Sequence, residues 1–254
     1  MTNLVRVGVV HVHSHFSHDC RDSLERLREF ALERGISFIG LTDHAEDLED
    51  DDFDLLTGAC RTLSDERVEL IPGLEFRFPG YSGLHLLALG LRRWITPGTP
   101  ADFMRQTLGV AEFTIVAHPV LPDYRVPEEV RAGIDAIEVW NASYNTRYLP
   151  DPRAIRLLHE MRRTRPEVVG IAGLDQHDAS NDRGTRVILE PGTMGEPLAA
   201  LKAGRFTNQG VTMRFEAAAP FGPTRLGALQ GLRFGLDVVN AVHERAVRLA
   251  RRFG

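Results

Sequence analysis

Four histidines and an aspartate crowd the start of this chain. The stretch VVHVHSHFSHDC, residues 9–20, carries His11, His13, His15 and His18, with Asp19 beside them. Imidazole and carboxylate groups are the usual ligands of zinc, manganese and iron. An apolar run, residues 4–10, leads straight into the cluster and reads as a buried strand. Side chains alternate along a strand, so His11 and His13 point the same way and form a natural ligand pair for one metal ion. A polar turn rich in histidine would carry the same short signature. The rest of the chain decides between the two.

The same pattern recurs at later strand ends. Thr42-Asp43-His44 follows the apolar segment 36–41, and Glu75 stands at the end of VELIPGLEF. His118-Pro119 follows 113–117, and Gly173-Leu174-Asp175-Gln176-His177 follows 168–172. His85 instead opens the apolar run HLLALGL, and a further strand over 136–140 contains Glu138 and runs into Asn141. Helices are expected over 24–34, capped by Ser23 and ended by Gly35, and then near 55–65, 101–108, 152–163 and 197–202. The acidic run from Glu46 to Asp54 reads as a solvated loop. Strands alternating with helices imply parallel β/α units. In a β/α barrel the C-terminal strand ends share one face, where active sites form. His11 and His177, more than 160 positions apart, would then meet in one cavity.

The chain has 254 residues, 43% hydrophobic and 26% charged, which suits one sizeable core. Its net charge of -5 gives no global basic footprint for nucleic acid. Cys20 and Cys60 are the only two cysteines, so no disulfide framework is expected, and a reducing, cytoplasmic setting is the simplest reading. The N-terminus lacks a signal-peptide layout, and its apolar run is too short to span a bilayer.

Taken in order, these motifs resemble the PHP family, the polymerase and histidinol phosphatase superfamily of metal-dependent phosphoesterases. The matching segments are His11-Val12-His13 with Ser14, Ser17 and Thr42-Asp43-His44, then Pro72-Gly73-Leu74-Glu75, Ala117-His118-Pro119 and Gly173-x-Asp175-x-His177. Lys202-Ala203-Gly204-Arg205 is similar to the family's last β/α unit. The resemblance implies a distorted seven-stranded, TIM-like (β/α) barrel over residues 1–222, with residues 223–254 as an appended C-terminal helix packed on it. It implies two or three divalent metal ions, whether zinc, manganese or iron. His11, His13, Glu75 and Asp175 would hold the first, Glu75 with His85 and His118 the second, and His44, His177 and either Asp19 or His18 the third, Asp19 being preferred. One departure stands out. The family's aspartate two positions before the first histidine is Val9 here, so a supporting partner of the metal site is missing from that position.

The chemistry expected from such a site is hydrolysis of a phosphomonoester or a nucleotide or oligonucleotide phosphate. A hydroxide bridging two metals would attack phosphorus, with Glu75, Asp175 and His177 as the catalytic carboxylates and imidazole. Arg77, Arg147 and Arg183 are candidate phosphate clamps, Arg186 is a further cation nearby, and Trp140 and Tyr144 are candidate stacking surfaces. The expected partner is a small phosphorylated substrate or a short nucleic-acid end, with no stable nucleic-acid complex. Two other readings keep the same motifs: an amidase-like metal hydrolase and a non-catalytic PHP module. Residues 224–252 space Leu226, Leu229, Leu232, Leu236, Val239, Val242 and Ala246 at helical intervals and end with Arg245, Arg248, Arg251 and Arg252. That suggests a packed helix with a basic last turn, or a surface for homo-oligomerisation.

Overall fold

Apolar segments that alternate with capped helices build the larger of two compact units, Met1–Ala219, and one helix builds the smaller, Pro220–Gly254. The computed structural model describes residues 5–192, 196–219 and 221–253, apart from the side chains of 237 and 240–253. In chain order the larger unit contains β1 (Val7–Val12), α1 (Leu24–Glu33), β2 (Phe38–Leu41), β3 (Asp43–His44), α2 (Asp50–Leu63), β4 (Glu69–Ile71), β5 (Gly73–Arg77) and β6 (His85–Leu89). It continues with α3 (Pro100–Thr107), β7 (Phe113–Val116), α4 (Glu128–Arg131), β8 (Ala136–Asn141), α5 (Pro152–Met161), β9 (Val169–Gly173), β10 (Arg186–Leu189), α6 (Pro197–Lys202), β11 (Phe206–Gln209) and β12 (Arg214–Glu216).

The strands form two six-stranded sheets, in the orders β12-β11-β10-β1-β2-β4 and β3-β5-β6-β7-β8-β9. These mixed α/β sheets stand where the sequence reading expects a closed seven-stranded barrel of parallel units. β1, β2 and β4 are parallel, as are β7, β8 and β9. β6 runs antiparallel to both β5 and β7, because a tight turn with left-handed Gly80 and Gly83 joins β5 to β6 without a crossover helix. The sheets meet along two lines. Single residues, Thr42 and Pro72, separate β2 from β3 and β4 from β5. At the other line Leu174 N donates to Val10 O at 2.9 Å, and His13 N to Gln176 O at 2.9 Å. The core between them is apolar, with Val10, Phe38, Leu87, Leu89, Phe113, Ile115, Ile171 and Phe206 buried.

Local chemistry accounts for the helix starts. Ser23 and Thr99 accept from the backbone N–H three residues on, and Asp151 caps α5. The acidic run is not the solvated loop expected of it. Residues 45–47 form a 3-10 turn, and Asp50, Asp51 and Asp52 begin α2 behind a Glu49–Asp52 capping box. Carboxylates are favoured there by the positive end of the helix dipole. In the smaller unit α7 (Pro223–Phe253) is one helix, uninterrupted by its glycines. Leu232, Phe234, Val238 and Val239 are exposed on it. The side chains of Val242, His243, Arg245, Ala246, Arg248, Arg251 and Arg252 lie outside the described residues. Among the described residues, no helix is long and apolar enough to cross a membrane.

Gly73, at the start of β5, lies against the main chain of both β6 and β2. A Cβ there would lie 2.4 Å from Ala88 O and 2.7 Å from Leu41 O, both backbone atoms. Gly73→Ala is expected to destabilise the protein by about 1–3 kcal/mol or more through forced backbone shifts. Gly58, inside α2, has nothing within 4 Å of such a Cβ. Gly58→Ala is expected to stabilise by roughly 0.5–1 kcal/mol through helix propensity. Urea unfolding of both variants checks the opposite signs.

Candidate metal centre

The β5 carboxylate of Glu75 is buried at the centre of five imidazoles. Its Oε1 lies 2.6 Å from His85 Nδ1 and 3.2 Å from His118 Nε2. Its Oε2 lies 3.1 Å from His44 Nδ1 and 3.6 Å from both His11 Nε2 and His13 Nε2. Asp175 faces it, with Oδ1 at 3.5 Å from His11 Nε2, 3.7 Å from His13 Nε2 and 3.6 Å from His177 Nδ1. Antiparallel β6 explains the place of His85: it pairs with Arg77, so the start of β6 lies at the end of β5.

Asp19 completes the outer side, with Oδ2 3.3 Å from both His44 Nε2 and His177 Nε2. His18 turns outward. Its ring and its backbone N–H both engage Asp47, and its side chain is 61% exposed. Of the candidate arginines, Arg77 places Nη2 3.4 Å from His44 Nε2 and pairs with Glu46. Arg183 donates to Ala142 O at 3.1 Å and lines a pocket of about 120 Å³ with Asp175, His177, Ser143 and Asn181. Arg147 stands over the Tyr148 ring, and Arg186 is tied to Asp182. Trp140 is fully buried against Phe215 and donates to Thr146 O, so it is a core residue and not a stacking surface. Tyr144 is exposed, with its ring 4.6 Å from His118.

The backbone is bent to make this convergence possible. His11, His118 and Asp175 have φ of 64°, 21° and 49°, in the left-handed region that L side chains rarely adopt. Such strain persists only where surrounding structure enforces it, and it concentrates at functional sites. Asp43 supplies part of that enforcement. It is buried and accepts from Ser14 N, Ser14 Oγ and Ser17 Oγ at 2.6, 2.9 and 2.9 Å. Ser17 Oγ in turn accepts from His44 N at 3.0 Å. Sequence reasoning gave Asp43 and Glu138 no role, although both are fully buried carboxylates. A charged residue within the apolar strand AIEVWN was the available signal for Glu138.

Three sets of side chains each bring ligand atoms within 4.8 Å of one another: His13, His44 and His177; His11, Glu75 and His118; and His11, His13 and Asp175. His11 Nε2 and His13 Nε2 are buried without a hydrogen-bond partner. Buried polar atoms are normally paired, so two orphaned imidazole nitrogens facing two carboxylates fit divalent cations. The donor set is nitrogen and oxygen without thiolate.

The family model of the PHP domain matches residues 10–106. Over that stretch the chain is similar to PHP domains. The match spans His11 to His85, while His118, Asp175 and His177 join the centre through the fold. No curated protein matches the chain. Among solved structures, a Bifidobacterium adolescentis protein provisionally named a metal-dependent phosphoesterase superposes with a TM-score of 0.50 at 16% identity. The alignment covers 68% of this chain and 88% of that one. At that identity the likeness concerns the fold alone.

Burial pulls the His11 imidazole down, but the carboxylates of Asp175, Glu138 and Glu75 outweigh it and leave its pKa well above the ordinary value. Burial, together with the neighbouring His11, holds His13 well below its usual range. Burial raises Glu75, yet its imidazole neighbours, His11 foremost, bring it well below the carboxylate range. A metal ion requires neutral imidazole, so its uptake must displace the His11 proton. Zinc titration of metal-free protein at neutral pH is expected to release protons, and binding is expected to weaken as pH falls. Calorimetry in buffers of different ionisation enthalpy checks this; heats that do not vary with buffer would contradict it.

Proposed function

We propose that this chain is a metal-dependent phosphoesterase acting on a phosphomonoester or a nucleotide or oligonucleotide phosphate. The observation that carries the reading is the convergence of Glu75 and Asp175 on buried, unpartnered imidazole nitrogens of His11 and His13. We read the two sheets as a distorted seven-stranded barrel, supported by the runs of β2 into β3 and β4 into β5 and by the hydrogen bonds between β1 and the end of β9.

His11, His13 and Asp175 would hold one divalent ion, Glu75, His85 and His118 a second, and Asp19, His44 and His177 a third. Ions bound there polarise a phosphoryl oxygen and acidify water. The chain's own groups do the rest. Asp175 is placed to accept a proton from an attacking water, and Glu75 keeps five imidazoles turned inward. His177, 31% exposed, stands at the mouth of the site and orients the substrate's reacting end. Arg77 and Arg183 flank that mouth and supply the cationic contacts that phosphate oxygens favour.

Phosphate release from a panel of phosphomonoesters and short oligonucleotides, alongside amide and ester substrates, tests the reading with metal-reconstituted protein. Selective phosphate turnover is expected, and Asp175→Asn, which tolerates the left-handed backbone, is expected to reduce it at least 100-fold, in the range of a lost general base. Turnover confined to amides or esters would overturn it.

The two candidates in the first loop separate by metal content. Asp19→Ala is expected to lower the metal content of the purified protein, whereas His18→Ala leaves it unchanged. Elemental analysis after dialysis reads the difference.

A further inference from the structure

Glu138 is a carboxylate with no solvent exposure, carried by β8, which lies between β7 and β9. A charge buried there costs several kcal/mol unless it is fully engaged. It is engaged at both oxygens. Oε1 lies 2.8 Å from His11 Nδ1. Oε2 accepts from His118 N at 2.6 Å and from Asn141 Nδ2 at 2.8 Å. Asn141 Nδ2 also lies 3.4 Å from Asp175 Oδ2. One side chain thus touches the ring of one candidate ligand and the main chain of another, and reaches a third through Asn141. Two of these, His11 and His118, have left-handed backbone.

We propose that Glu138 is the positioning residue of this centre: it fixes the His11 ring so that Nε2 is the metal-facing nitrogen and pins the strained main chain at His118. With Nδ1–H donated to Glu138, Nε2 is left facing Glu75 and Asp175, where it has no hydrogen-bond partner. The space for the carboxylate is made by Gly173, where a Cβ would fall 1.8 Å from Glu138 Oε1. The glycine that precedes Asp175 by two positions is therefore required by Glu138. At the position two residues before His11, Val9 is buried and apolar and offers no partner. Glu138 supplies one from across the fold, beyond the span of the family match.

The proposal rests on the metal-binding part of the reading above and not on the bond cleaved, so its test reads metal affinity. Zinc titrations compare wild type, Glu138→Gln and Glu138→Asp. The first keeps the size and loses the second acceptor; the second keeps the charge and loses the reach. Both are expected to bind about 10–100-fold more weakly, the range found when partners of metal-bound histidines are removed, while metal-free circular dichroism stays native. Native affinity in Glu138→Gln overturns the proposal, and native affinity in Glu138→Asp shows a charge effect and overturns it too. A wild type that binds no zinc removes the metal reading itself. Zinc-loaded wild type labelled with ¹⁵N-histidine gives an answer that needs no variant to fold. His11 must show a protonated Nδ1 and a metal-bearing Nε2, and the reverse pattern overturns the proposal.

Discussion

A buried carboxylate surrounded by imidazoles is the constraint on which this structure turns. Glu75 is 1% exposed, and among the described residues its ion-pair partners are histidines. Five histidines surround it, arriving from four backbone segments. Without metal, the Asp175, Glu138 and Glu75 carboxylates raise the pKa of His11 despite its burial. A divalent ion replaces the His11 proton with fixed positive charge, so binding is coupled to the cohesion of the strand ends.

That arrangement demands support from the backbone. Left-handed φ at His11, His118 and Asp175 places strain at three of the converging residues. The strain is held by polar groups behind the cluster. Asp43 gathers Ser14 and Ser17 on one side, and Glu138 gathers His11, His118 and Asn141 on the other. Both carboxylates are fully buried and fully hydrogen-bonded, which is the condition for a buried charge to orient its neighbours without destabilising them.

Local patterns were enough to reveal much of this. Histidine and carboxylate at the ends of apolar runs are conspicuous because such residues are costly to bury, and His11, His13, His44, Glu75, His118, Asp175 and His177 all meet in one cluster. Helices with capping serine, threonine or aspartate were readable for the same reason: the cap and the helix it starts are neighbours in sequence. The acidic run was misread because the same carboxylates that suit a solvated loop also suit a helix N-terminus.

What the tertiary structure alone decided depends on pairing between distant segments. The direction of β6, which brings His85 to Glu75, follows from a hairpin whose register no local spacing specifies. Asp19 faces His44 and His177, while His18 pairs with Asp47, 29 positions from it. Glu138 was legible only as an oddly charged residue in a strand. Its partners His11 and His118 lie 127 and 20 positions away, and the space it fills is set by Gly173 on the adjoining strand. Residue types, by their cost of burial, announced that a polar centre exists; the pairing of strands determined which of those residues face one another.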